Sequence, residues 1–179
     1  MKFPAFHRLL AGISVAALLG AAPAFAATQG AVGSTSTGSV TITATVPNLV
    51  RITNLDDINL GSWSGSGDLS GSDNVCVWST TRKYKITATG SGTGSAFTLS
   101  DGGTNTIAYN VQWKDSSGAS SGTALTSGTA LTGQTSSVTS TDCGGGSNAT
   151  LLVRVLDATL QAAPAASYTG TLTLVVAPE

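Results

Sequence analysis

Two cysteines, Cys76 and Cys143, one histidine, His7, and nine acidic residues are most of what this chain offers for building a reactive centre. His7 falls in an N-terminal stretch that reads as a cleaved leader. The remainder then has no imidazole, so neither a Ser-His-Asp nor a Cys-His arrangement can form. Two widely separated cysteines are also too few for a transition-metal site. Asp56, Asp57, Asp68 and Asp73 could gather at a calcium ion, but their spacing matches no calcium loop and turn aspartates explain them. Lys83 and Lys85, the lysines of a conceivable Ser–Lys pair, fall on the polar face of an extended stretch. Gly65-Ser66-Gly67 and the run 90–94 resemble phosphate loops, yet neither lies between a strand and a helix. Asn148-Ala149-Thr150 matches a glycosylation acceptor. No enzyme activity, metal or cofactor is expected. Of the three tryptophans, Trp78 and Trp113 fall in registers that predict burial. Trp63, flanked by Ser and Gly, is the candidate for an exposed ring contacting a ligand.

The leader spans residues 1–26. Lys2 and Arg8 provide its positive start, Leu9 to Leu19 an apolar run, and Ala24-Phe25-Ala26 a small-residue cleavage site. That run is too short to span a bilayer, which takes about 20 apolar residues. Cleavage removes two of the eight basic residues and none of the nine acidic ones, leaving a net charge of about −3. Such a balance argues against nucleic acid as a partner. Export also means an oxidising compartment, so Cys76 and Cys143 are expected to form a disulfide.

The elements that would position these residues are strands. Ser, Thr and Gly dominate, and Glu occurs once, as Glu179, so helix propensity is poor throughout. Alternating segments are expected at 39–46, 49–53, 75–80, 83–89, 96–100, 106–113 and 168–176, with an apolar central strand at 149–156. One helical turn is expected between Asp157 and Ala163, ahead of Pro164. Residues 27–38 read as a polar, mobile tail. Ser121 to Thr132 repeats Ser-Gly-Thr-Ala-Leu-Thr twice, which suggests a loop or hairpin rather than a solenoid. Short strands at close spacing with turns between them predict an all-β, immunoglobulin-like β-sandwich.

The segment Val40-Thr41-Ile42-Thr43-Ala44-Thr45-Val46 alternates without a fault and ends at Pro47. Val40, Ile42, Ala44 and Val46 therefore share one face of a strand. The leader, this segment, a Thr/Gly-rich sandwich and a closing strand led by Ala163-Pro164-Ala165-Ala166-Ser167-Tyr168 together resemble a bacterial pilin of the chaperone–usher pathway. The layout of 40–52 is similar to colonisation-factor-type pilins, and much of 39–177 to archaic and spore-coat-U-like domains. The resemblance implies a structural pilus (fimbrial) subunit of the cell surface that supports adhesion. Its sandwich, residues 48–179, would be completed by a donor strand from the extension 27–47 of another subunit. It also implies a periplasmic chaperone, an outer-membrane usher and a surface receptor as partners. Val40, Ile42, Ala44 and Val46 would be the inserted side chains.

A second reading is a self-contained secreted β-sandwich that binds a carbohydrate or host surface. It predicts that 40–46 pairs within its own sheet and that Trp63 contacts the ligand. The two readings differ in where one strand is paired.

Overall fold

The computed structural model describes residues 26–179; the leader read at 1–26 lies outside these except for Ala26. The chain divides between Thr45 and Val46 into two units. In the first, Thr28 and Ser39 form an antiparallel bridge: the Thr28 N–H donates to the Ser39 carbonyl at 2.9 Å and the Ser39 N–H returns to Thr28 at 3.0 Å. Residues 29–38 are thus a closed loop, where the composition suggests a featureless tail. The strand expected at 39–46 has no ladder beyond the bridge at Ser39.

The second unit holds ten strands: β1 (Val50–Thr53), β2 (Leu69–Ser79), β3 (Lys83–Gly90), β4 (Thr98–Ser100), β5 (Thr106–Ala108), β6 (Asn110–Lys114), β7 (Thr123–Ala124), β8 (Ala130–Thr135), β9 (Ala149–Val155) and β10 (Leu172–Pro178). One short helix, α1 (Asp157–Ala162), precedes Pro164 as expected. The strands form a five-stranded sheet in the order β1-β2-β9-β6-β7 and a three-stranded sheet in the order β10-β3-β8, with a β4-β5 pair besides. Every pairing is antiparallel. The fold is an all-β sandwich, as the alternation predicts. Among the described residues no helix is long and apolar enough to cross a membrane.

The core follows from period-two alternation on facing strands. Tyr84, Ile86 and Ala88 of β3 are fully buried opposite Val75 and Val77 of β2, Val111 and Trp113 of β6, and Leu151, Val153 and Val155 of β9. The stretch 106–113 alternates as read, with Ile107, Tyr109, Val111 and Trp113 buried, but it breaks at Tyr109. β5 pairs with β4, while β6 pairs with β9. β2 starts at Leu69, within what reads as a loop, because Leu69 to Val75 finds β9 as a ladder partner.

The tandem hexapeptide is neither loop nor hairpin; it carries the chain from one sheet to the other. Its first copy supplies β7 beside β6, and its second opens β8 beside β3. Each copy sends its leucine toward the core, Leu125 and Leu131. The two glycines serve different ends. A Cβ on Gly122 would lie 2.5 Å from the Trp113 carbonyl oxygen, whereas Gly128 turns the chain at φ +74° in open space.

Across the core, the Trp113 Nε1–H donates to the Tyr84 hydroxyl at 3.2 Å, and the rings meet edge to face. Burial pushes the Tyr84 hydroxyl up to about 12, outweighing the opposing effect of the Trp113 hydrogen bond. A raised tyrosine pKa favours the folded chain's protonated form. The associated stability is therefore whole below pH 10 and falls as pH rises from about 10 to 12, where the unfolded chain ionises first. Denaturant titrations should show a loss of roughly 2–3 kcal/mol over that interval. Tyr84→Phe should leave a shallower decline, carried by Tyr109, whose hydroxyl burial also raises. An unchanged slope in Tyr84→Phe would contradict this assignment.

Candidate functional site: an open seam in the sandwich

β1 is the edge of the five-stranded sheet and β10 the edge of the three-stranded sheet. They lie beside each other without sharing a ladder. Each pairs on one side only, so each carries a row of backbone N–H and C=O groups with no strand to meet them. The alternation along β1 turns Val50 and Ile52 inward, and that along β10 turns Leu172, Leu174 and Val176 inward. All five pack against the core yet are only half-buried. Their inner neighbours in register are covered: Ile52 faces Val77, Leu174 faces Ala88, and Val176 faces Ile86. The seam is thus where the hydrophobic interior meets the surface along two unsatisfied edges.

One end of the seam is secured, beside the turn that joins β2 to β3. The Leu49 N–H donates to the Thr80 hydroxyl at 2.8 Å, and that hydroxyl donates to the Pro47 carbonyl at 3.0 Å. At the C-terminal end of β10, beside the same turn, the Glu179 carboxylate accepts the Gly133 N–H at 2.7 Å. Pro178 closes β10 at an edge position, where a missing donor does not interrupt a central ladder.

The four side chains picked out by alternation, Val40, Ile42, Ala44 and Val46, are all exposed. Val40 is 72% exposed, Ile42 89% and Val46 78%, far beyond what a strand with a buried face shows.

Cys76 and Cys143 are joined by a disulfide. The sequence places both cysteines correctly, tying β2 to the approach of β9. It misplaces Trp78: Val75, Val77 and Ser79 face inward, so Cys76 and Trp78 face outward and Trp78 is half-exposed. Cys76 is buried all the same, as the disulfide holds the turn Cys143–Gly145 against β2. That turn is shaped by Asp142, whose carboxylate is held below the usual range by the Ser140 hydroxyl and the Gly144 N–H.

Trp63 is half-buried, and its Nε1–H lies 3.0 Å from both the Gly67 carbonyl and Asp157 Oδ1. Its polar edge is committed internally, bracing a glycine-rich loop against the start of α1. Trp113 is buried as expected, and Lys83 and Lys85 are exposed. The four aspartates do not converge: Asp73 accepts the Asp56 N–H, whereas Asp68 binds Arg154 and the Asp157 N–H. Among the described residues no set of three His, Cys, Asp or Glu side chains could hold a metal ion.

Asn148 has a role that the sequence hides. Its amide accepts the Val77 N–H and donates to the Val77 carbonyl, both at 2.8 Å, extending the β2 ladder by side chain. An acceptor asparagine needs a free amide nitrogen, and this one is engaged. No local pattern announces the contact, since Val77 is 71 residues away.

No family model matches the sequence, and no curated protein matches it. Among solved structures it is similar to a chain from a chaperone–tip adhesin complex described as vital for synergistic activation of CFA/I fimbriae biogenesis. The identity is 16% and the TM-score 0.48. The similarity covers 74% of this chain and 42% of that one, so this chain spans less than half the length of the structure it matches.

The disulfide encloses a separation of 67 residues, for which loop-closure entropy gives a stabilisation of about 4 kcal/mol. Replacing both Cys76 and Cys143 by Ser should lower the unfolding free energy by about that amount in urea titrations. A midpoint equal to that of the parent would show that the bridge constrains nothing.

Proposed function

We propose that this chain is a structural subunit of a surface pilus, exported through its leader and polymerised head to tail by strand exchange. Its partners would be identical or related subunits, preceded by a periplasmic chaperone and an outer-membrane usher, with a surface receptor for the assembled fibre. The reading needs no cofactor and no catalytic group. One observation carries it: a half-buried apolar seam between two unladdered edges, in a chain that also exposes an alternating apolar segment with no strand of its own.

The proposed occupant of the seam is residues 40–46 of the next copy. An inserted strand would pair its backbone with both β1 and β10, and its apolar face would cover Val50, Ile52, Leu172, Leu174 and Val176. Burying Val40, Ile42 and Val46 is worth roughly 5–8 kcal/mol, before any ladder hydrogen bond is counted. Pro47 ends the strand because it has no N–H to donate. A donor that belongs to one copy and a seam that belongs to another make a head-to-tail contact that does not close, which is the geometry of a filament.

A protein beginning at Asn48 should fold and bind a peptide of residues 39–47. Ile42→Asp in that peptide should weaken binding at least about a hundredfold, since it buries a charge where an aliphatic chain belongs. The chain beginning at Ala27 should form filaments visible by electron microscopy, and its Ile42→Asp variant should not. A stable truncated protein that ignores the peptide, together with a monomeric parent whose 40–46 segment pairs in its own sheet, would instead establish the self-contained binding module.

A further inference from the structure

The outer face of the five-stranded sheet carries a trough of about 440 Å³ that the pilus reading does not use. Its floor is two cross-strand rows set by the ladder register: Ser70–Arg154–Asn110 and Ser72–Leu152–Gln112. Both walls are built rather than incidental. One is the loop at Ala119 and Ser120, clamped to the sheet where the Gly118 N–H donates to Asn74 Oδ1 at 2.8 Å and the Ala119 N–H to Thr150 Oγ1 at 3.1 Å. Thr150, 1% exposed, spends its own hydroxyl on the same clamp, 2.9 Å from Asn74 Oδ1 and 2.7 Å from the Ser116 carbonyl.

The other wall is the Arg154–Asp68 pair. Arg154 Nε donates to Asp68 Oδ2 at 2.6 Å and Nη2 donates to the same oxygen. Asp68 Oδ1 takes the Asp157 N–H at 2.7 Å, and Asp157 is braced in turn by Trp63. The Asp157 amide and Arg154 together hold the Asp68 carboxyl below the usual carboxylate range. Trp63 thus stands behind this wall, not in the trough.

The floor offers recognition groups that the fold leaves unspent. Among the described residues, the side chains of Ser70, Ser72 and Asn110 bond to no protein group. Gln112 uses only Oε1, on the Gly122 N–H at 3.1 Å, and keeps its NH₂. Neighbouring rows lie about 6.8 Å apart and neighbouring strands about 4.8 Å apart, so these groups form a grid on the scale of a sugar ring. Leu152 supplies one apolar spot among them, suited to the C–H face of such a ring. Asp68 cancels the charge of Arg154, which gives an acidic ligand no net attraction. β9, which runs down the middle of the floor, is laddered to β2 on one side and to β6 on the other, so the centre of the trough offers no backbone edge to a peptide strand.

We propose that this trough binds a short uncharged oligosaccharide, recognised through Asn110, Gln112, Arg154 and the two serines, with Leu152 beneath a sugar ring. The inference stands apart from the assembly reading, since neither the seam nor residues 40–46 contribute to it.

The test is ¹⁵N-edited NMR on the chain beginning at Ala27 with Ile42→Asp, which keeps a polymerising subunit monomeric and lies outside the trough. Maltotriose, cellotriose and N,N′,N″-triacetylchitotriose are the probes, with 3′-sialyllactose as the acidic comparison. At least one neutral trisaccharide should give saturable shifts centred on Ser70, Ser72, Leu152 and Arg154, with a Kd of roughly 1 mM. Asn110→Ala should weaken it about fivefold, and Ser72→Trp, which fills the floor, should abolish it. Both positions are exposed, and unshifted β3 and β10 amides would verify the fold. The proposal is overturned if no neutral probe gives saturable shifts at tens of millimolar, if the shifts centre elsewhere, or if sialyllactose binds more tightly.

Discussion

The two principal sheets are pinned across the core by the contact between Trp113 and Tyr84. One ring comes from each principal sheet, both are fully buried, and the indole N–H satisfies the phenol oxygen. A buried aromatic pair of this kind contributes apolar area and a directional bond, and an unpaired hydroxyl or indole there would be costly. With β6 and β3 fixed face to face, their ladder neighbours follow. β9 and β2 extend one sheet, and β10 and β8 flank β3 in the other. The seam is a consequence, being where the two sheets run out of strands on the same side.

That seam concentrates the unsettled part of the fold. On β2 and β9, specific devices cover what the ladders leave: the Cys143 turn over Cys76, the Asn148 amide on Val77, and the clamped 115–120 loop over Thr150. Between β1 and β10 there is no comparable device. Five aliphatic side chains are left half-covered, and the backbone edges beside them have no partner strand. The same chain exposes Val40, Ile42 and Val46 on an unpaired extension. A surplus of strand and a deficit of strand in one molecule is the physical basis of the assembly reading.

Much of this was legible from local pattern. Alternation located the inward faces of β3 and β6 residue by residue, because a buried sheet face imposes a period of two whatever its partner. It also marked residues 40–46 and predicted the helical turn before Pro164. It failed where a partner distant in sequence decides. Leu69 to Asn74 is too polar to read as a strand and becomes one because β9 pairs with it. Trp78 has a large apolar ring and faces outward because Val75 and Val77 take the interior. The bridge between Thr28 and Ser39 gives order to a segment whose composition suggests none.

The tandem hexapeptide states the division most plainly. By itself the sequence determined that the chain as a whole is β-structure, that the stretches 83–89 and 106–113 each bury one alternate face, and that two cysteines were free to join. These properties follow from side-chain size, branching and alternation within a few residues. Only the tertiary structure decided that identical hexapeptides enter different sheets, that one glycine is needed for space and the other for its backbone angle, and that a trough and a seam lie on separate faces. Those outcomes depend on which distant strands pair, and pairing is settled by the joint burial of many faces at once, which no local stretch of sequence contains.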